Sequence, residues 1–146
     1  MATTQKALPR GIRNRNPGNL KYTPANLWAG MSGRDSDGFC VFYTATKGIR
    51  ALGIDIVNAV QLDGCDTLSR LISHYAPPDD NDTAQYVRYV TYAVGLMADS
   101  RVVLSRDLFP LVLAIINREN GEVPYAYDLI AASLVDAYAL IDRQHP

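Results

Sequence analysis

Beyond Thr46 the apolar residues of this chain recur at helical spacing, and before it they do not. Ile49, Leu52, Ile56 and Val60 share one face while Arg50, Asp55 and Asn58 point elsewhere, which predicts an amphipathic helix stopped by Asp63-Gly64. Asp66 or Thr67 can cap a second helix, Leu68 to Tyr75, and Pro77-Pro78 ends it because the residue before a proline avoids the helical region. Asn81, Asp82 and Thr83 offer caps for a third, with Tyr86, Val87, Val90 and Val94 at helical spacing and Gly95 as its stop. Ser105 or Asp107 can cap a fourth through Leu108, Leu111, Val112, Ile115 and Ile116. Pro110 then falls in its first turn, where a missing N–H costs little, and Gly121 is placed to end it. A fifth is expected from about Tyr127 to Asp142, with Leu129, Ile130, Leu134, Tyr138 and Ile141 on its apolar side.

From Arg10 to about Thr46 the pattern is different. Gly, Asn, Pro, Ser and Asp dominate, aromatics stand alone, and the strand signal is Phe39-Cys40-Val41-Phe42-Tyr43, so this part reads as loops and a short hairpin. Residues 1–9 read as a loose arm. The expected fold is mainly α within the α+β class: a small N-terminal loop and β-hairpin lobe, then about five helices, all in a single domain spanning residues 10–146.

Composition narrows the function. At 146 residues, 48% hydrophobic and 20% charged, the chain has ordinary globular usage and enough length for one core. Lys plus Arg (14) nearly balances Asp plus Glu (15), so no net positive field draws it to nucleic acid or an anionic membrane. The early cations Lys6, Arg10, Arg13, Arg15 and Lys21 read either as a solvated arm or as a contact for an anionic polymer. Cys40 and Cys65 are too few for a disulfide framework and show no metal spacing; no metal or cofactor is expected. Met1 to Pro9 lacks the apolar core of a secretory signal, and no stretch is apolar enough for membrane insertion.

The motifs are more specific. Arg10-Gly-Ile-Arg-Asn-Arg-Asn-Pro-Gly-Asn-Leu20 is followed by Leu27-Trp28-Ala29-Gly30, the aromatic strand and Lys47-Gly-Ile-Arg-Ala-Leu52. Then come His74-Tyr-Ala-Pro-Pro78, Asn81-Asp-Thr83, Tyr86-Val87, Arg118-Glu-Asn-Gly121 and Pro124-Tyr125. In this order the blocks resemble phage-encoded lysozyme-superfamily proteins, including lytic transglycosylase-like and virion-associated peptidoglycan-degrading members. The resemblance runs from Arg10 to about Leu140. The first half is also similar to the substrate-facing lobe of flagellar-type glucosaminidases, whose catalytic glutamate precedes that lobe. Here the glutamates are Glu119 and Glu122, both after it, which suggests a circular permutation of the lysozyme-like fold.

The resemblance implies cleavage of the glycan strands of peptidoglycan, as lytic transglycosylase or as muramidase or glucosaminidase, with Glu119 as catalytic acid. A carboxyl ending a helix faces the negative end of the helix dipole, and beside apolar Ile115 and Ile116 its protonated form is favoured, the form an acid catalyst needs. Glu122 lies past the helix stop. A hydrolase needs a second carboxylate, for which Asp35 and Asp37 are candidates, although their Ser and Gly neighbours also spell a turn. Without one, a single glutamate can act first as acid and then as base while a substrate hydroxyl attacks, the transglycosylase route. Sugars ask for flat apolar faces and amides, which Asn14, Asn16, Asn19, Tyr22, Trp28, Tyr75, Tyr86 and Tyr125 supply.

Two other classes compete. A cysteine hydrolase would pair Cys40 with His74, but Cys40 sits inside an apolar strand, where free cysteine is usually inert packing. A virion structural or cell-wall-binding protein could keep a lysozyme-like fold without the activity. Peptidoglycan is the expected partner, with other phage virion proteins beside it, and neither nucleic acid nor membrane insertion is expected. The expected location is a phage virion, or a host cytoplasm from which virion, holin or secretion machinery delivers the protein.

Overall fold

The computed structural model describes residues 7–76 and 82–144, with side chains to Ile141. Most of the arm expected over residues 1–9, the Pro77-Pro78 stop and the Asn81 cap lie outside these residues. Among them the chain forms seven helices and one two-stranded antiparallel sheet, a mainly helical α+β fold. The order is α1 (Arg10–Arg13), β1 (Met31–Arg34), β2 (Cys40–Phe42), α2 (Ala45–Gln61), α3 (Leu68–Tyr75), α4 (Thr83–Val94), α5 (Leu104–Asn120), α6 (Tyr127–Ser133) and α7 (Val135–Gln144).

α2 is the axis of the molecule and packs against α3, α5, α6, α7 and β2. Thr44 starts it, its hydroxyl accepting the Lys47 N–H at 3.2 Å. Its expected apolar face is the core face: Ile49, Leu52 and Ile56 are fully buried. Thr67 and Asp82 cap α3 and α4 in the same way, accepting the N–H groups of Arg70 and Gln85. Gly95 ends α4.

Three local expectations need correction. α5 begins at Leu104 with Val103 as N-cap, not at Ser105 or Asp107. The buried Asp107 carboxylate works from inside the first turn, accepting the Val103 N–H at 2.8 Å while it pairs with Arg106 at 2.7 Å. Pro110 consequently lies in the second turn of the helix, where its missing N–H leaves the Arg106 carbonyl without its helical donor. The fifth expected helix is two, α6 and α7, divided at Leu134, which packs on Gly53 of α2. Finally, the N-terminal segment read as loop contains the single turn α1.

Candidate functional site

The N-terminal loop is built around asparagines. Asn16 is fully buried; its Nδ2 donates to the carbonyls of Leu20 and Cys40, and its Oδ1 accepts the Leu20 N–H, each at 3.0 Å. Asn14 donates to Asp35 at 2.9 Å and accepts the Phe42 N–H on its own carbonyl, which ties the loop to the hairpin. The amides of both residues are therefore engaged inside the lobe. Arg15 and Asn19 take left-handed backbone angles, φ 52° and 51°, and so turn the chain sharply on either side of Asn16.

The turned loop lies directly on two helices. A Cβ on Gly48 would stand 2.0 Å from the Arg15 carbonyl oxygen, so the first turn of α2 touches the loop backbone only because it carries glycine there. At the other contact Asn120, buried at the end of α5, donates to the Pro17 carbonyl at 2.8 Å and to the Ile116 carbonyl at 2.9 Å.

The last turn of α5 uses four successive side chains. Asn117 bonds to the Tyr89 hydroxyl, and the Arg118 guanidinium lies over the Tyr86 ring, 5.1 Å from its centroid. Glu119 accepts the Asn19 amide at 2.9 Å, across 100 residues of sequence, and Asn120 holds Pro17. Gly121, at φ 77°, then lets the chain leave in the left-handed conformation. The Tyr86 ring is buried with its hydroxyl toward Glu119. Burial first, and the Glu119 charge next, hold that phenol far above its ordinary range, so it stays protonated, and its buried oxygen has no hydrogen-bond partner among the described residues.

Asn19 also borders a cavity of about 210 Å³, whose wall includes Asn26, Trp28, Asp55, His74 and Tyr75. Trp28 is half-buried there. The Tyr75 hydroxyl donates to Asp55 Oδ2 at 2.6 Å, and His74 Nε2 lies 3.4 Å from the same oxygen. The hydrogen bond to Asp55 raises the His74 pKa above its ordinary value against the opposing effect of burial. Burial, and then the Asp55 charge, raise that of Tyr75 well above its own.

The sequence candidates thus divide. Asn19, Trp28 and Tyr75 line one cavity; Glu119 and Tyr86 are not on its wall, and Glu119 is tied to it by its hydrogen bond to Asn19. Tyr22 lies under the Arg34 guanidinium, and Tyr125 stands near Glu122, neither on the cavity wall. Asp35 and Asp37 form the hairpin turn. Asp35 Oδ1 accepts the N–H groups of Asp37 and Phe39, Oδ2 faces Asn14 and Arg10, and Asp37 pairs with Arg10 at 3.0 Å. The Phe39 N–H, and next the Asn14 amide, lower the Asp35 pKa. Cys40 is fully buried, burial pushes its thiol up, and it is absent from the wall that carries His74.

Asp55 and His74 on this wall were not among the expected binding residues. Asp55 sits on the polar side of α2 between Ile54 and Ile56, and only the fold reveals that this side faces α3. The His74-Tyr75 pair within the motif blocks was the available signal. Among the described residues no group of three or more His, Cys, Asp or Glu could hold a metal ion, and no helix is long and apolar enough to cross a membrane.

Over 126 residues the chain is 35% identical to Protein P5 of Pseudoalteromonas phage PM2, covering 83% of this chain and 77% of that protein. No family model matches the chain.

Proposed function

The chain belongs to the family of the phage protein P5, and from that premise we propose that it cleaves the glycan strands of peptidoglycan, with Glu119 as the acid and Asn19 as its positioning partner. The observation that carries the reading is the Asn19–Glu119 hydrogen bond at 2.9 Å beside a cavity walled by Trp28, Tyr75 and two asparagines. Trp28 offers a flat face to sugar C–H groups, and the Asn26 amide offers a donor and an acceptor to the hydroxyl rim.

In this scheme Asn19 fixes Oε1 of Glu119, and the carboxyl gives its proton to the leaving glycosidic oxygen. The buried Tyr86 hydroxyl near Glu119 stays protonated. The resulting carboxylate then takes a proton from the attacking hydroxyl, that of the substrate itself in a transglycosylase or of water in a hydrolase. The first is favoured because Asp35 and Asp37 are engaged in the hairpin turn. A phage relative fits a role in entry or lysis, delivered by the virion or by lysis machinery, with the wall as partner.

The test is clearing of purified cell walls. Glu119→Gln keeps shape and the Asn19 contact but carries no proton, so the rate should fall at least about 10²-fold. Melting temperature and co-sedimentation with walls should change little. Clearing at near wild-type rate by Glu119→Gln would remove the assignment. Wall binding by a wild type that never clears would point instead to a non-enzymatic wall-binding protein. Mass spectrometry of the products separates the chemistries: anhydro-muramic ends mean transglycosylase, reducing ends mean hydrolase.

A further inference from the structure

We propose that Asp55 is a substrate-contacting carboxylate of the cavity, whose Oδ1 accepts a hydrogen bond from a hydroxyl or N-acetyl N–H of an amino-sugar residue while His74 and Tyr75 hold the group through Oδ2. The proposal rests on the glycan reading above and adds to it a further contact on the cavity wall.

The geometry is asymmetric. Tyr75 Oη at 2.6 Å and His74 Nε2 at 3.4 Å both meet Oδ2, whereas Oδ1 has no hydrogen-bond partner among the described residues. The side chain is 17% exposed, and what remains open borders the cavity. The Tyr75 hydrogen bond, with the His74 imidazole close to the same oxygen, fixes the rotamer before any ligand arrives, so little side-chain freedom is lost on binding. The second oxygen belongs to the same carboxylate, and a hydrogen bond to an ionised acceptor is roughly twice as strong as one between neutral groups.

The surroundings define the ligand. Trp28 supplies an apolar face, Asn26 supplies an amide, Lys21 supplies a cation, and Asp55 supplies a pure acceptor. A group that presents O–H or N–H to Asp55 and C–H to Trp28 fits this wall. Neutral N-acetylated sugars have that pattern. A purely architectural role, tying α2 to α3, is the competing account of the same contacts. It predicts a loss of stability with no change in the affinity of the folded protein.

Trp28 is the only tryptophan of the chain, so its fluorescence reports on this cavity from a single source. Chitotetraose would be titrated into the full chain carrying Glu119→Gln, which keeps the oligosaccharide intact, and into the same protein with Asp55→Ala, Asp55→Asn or Tyr75→Phe added. Circular dichroism would verify that each is folded. Asp55→Ala should weaken binding at least about tenfold, the factor expected for a hydrogen bond to a charged group. Asp55→Asn, which keeps an acceptor without the charge, should lie between Ala and Asp. Tyr75→Phe should weaken binding by a smaller factor because Oδ2 loses one of its donors.

Folded Asp55 variants that bind within about twofold of their parent would overturn the proposal, and so would a parent that shows no saturable response by fluorescence or calorimetry. The wall-clearing assay is independent of these outcomes. Asp55-dependent binding in a protein that never clears walls retains this inference and discards the cleavage reading. Glu119-dependent clearing with Asp55-independent binding does the reverse.

Discussion

The lobe of residues 7–44 and the helices that follow are held together by different forces. From the lobe only Leu20, Cys40 and Phe42 join the buried apolar core, which otherwise comes from Ile49 onward. The lobe instead buries two asparagines whose amides close its turns, and a third, Asn120, reaches it from α5. Apolar packing tolerates small displacements, because it depends on area and volume; a hydrogen bond weakens steeply with angle. A segment fixed by directed bonds can therefore hold a polar side chain such as Asn19 in one place against Glu119, and a segment fixed by packing can carry the load of stability.

The largest effect should come from the packed side. Leu52 is fully buried on α2 beneath Gly18 of the lobe, and Leu52→Ala should cost about 2 to 5 kcal/mol in urea melts. A loss below about 1 kcal/mol would mean that α2 is not the main support of the fold. On the directed side, Asn16→Ala strands the buried Leu20 N–H and takes the amide donor from the Cys40 carbonyl, while the Leu20 carbonyl keeps the Cys40 N–H, and should cost about 1 to 3 kcal/mol. Amide exchange should rise first at Leu20. If exchange rises equally along α2, the lobe and the helices are one cooperative unit and the contrast is too sharp.

The smallest effect lies where the two regions face each other across the cavity. His74 has a raised pKa through its hydrogen bond to Asp55, with Asp63 adding a more distant negative charge and Tyr75 packed edge-on. Because the folded value is raised, the stabilisation is complete below the ordinary histidine value of about 6.5 and is lost as pH rises through the folded value. The melting-temperature gap between wild type and His74→Gln should accordingly be widest near pH 5.5 and close toward pH 8.5. A gap that widens with pH would show that His74 is held neutral.

The same contrast explains what could be read from the chain alone. α2, α3 and α4 were legible because the apolar period runs through each, and at α3 and α4 the caps Thr67 and Asp82 agree with it; the Thr44 cap of α2 was not read. The division between α6 and α7 was not, since Ile130, Leu134, Ala137 and Ile141 keep their spacing of three and four straight through it. The start of α5 was missed because Asp107 caps it from within, where a cap is normally sought in front. At the candidate site, residue types were legible and pairings were not. Periodicity carries no sign that Asn19 meets Glu119, that Asn14 and Asn16 turn inward, or that Asp55 receives Tyr75.

The contact between Asn19 and Glu119 spans 100 residues, and that between Asn120 and Pro17 spans 103. During synthesis the loop leaves the ribosome long before its partner helix exists, and α2, α3 and α4 can form from local contacts in the interval. Only when α5 has emerged can the two segments close on each other, and such distant closures are the slow, entropically costly steps of folding. The loop and the carboxylate therefore meet late. A half-folded chain would hold both halves of the proposed machinery without the geometry that makes them act, so the proposed site exists only once folding is complete.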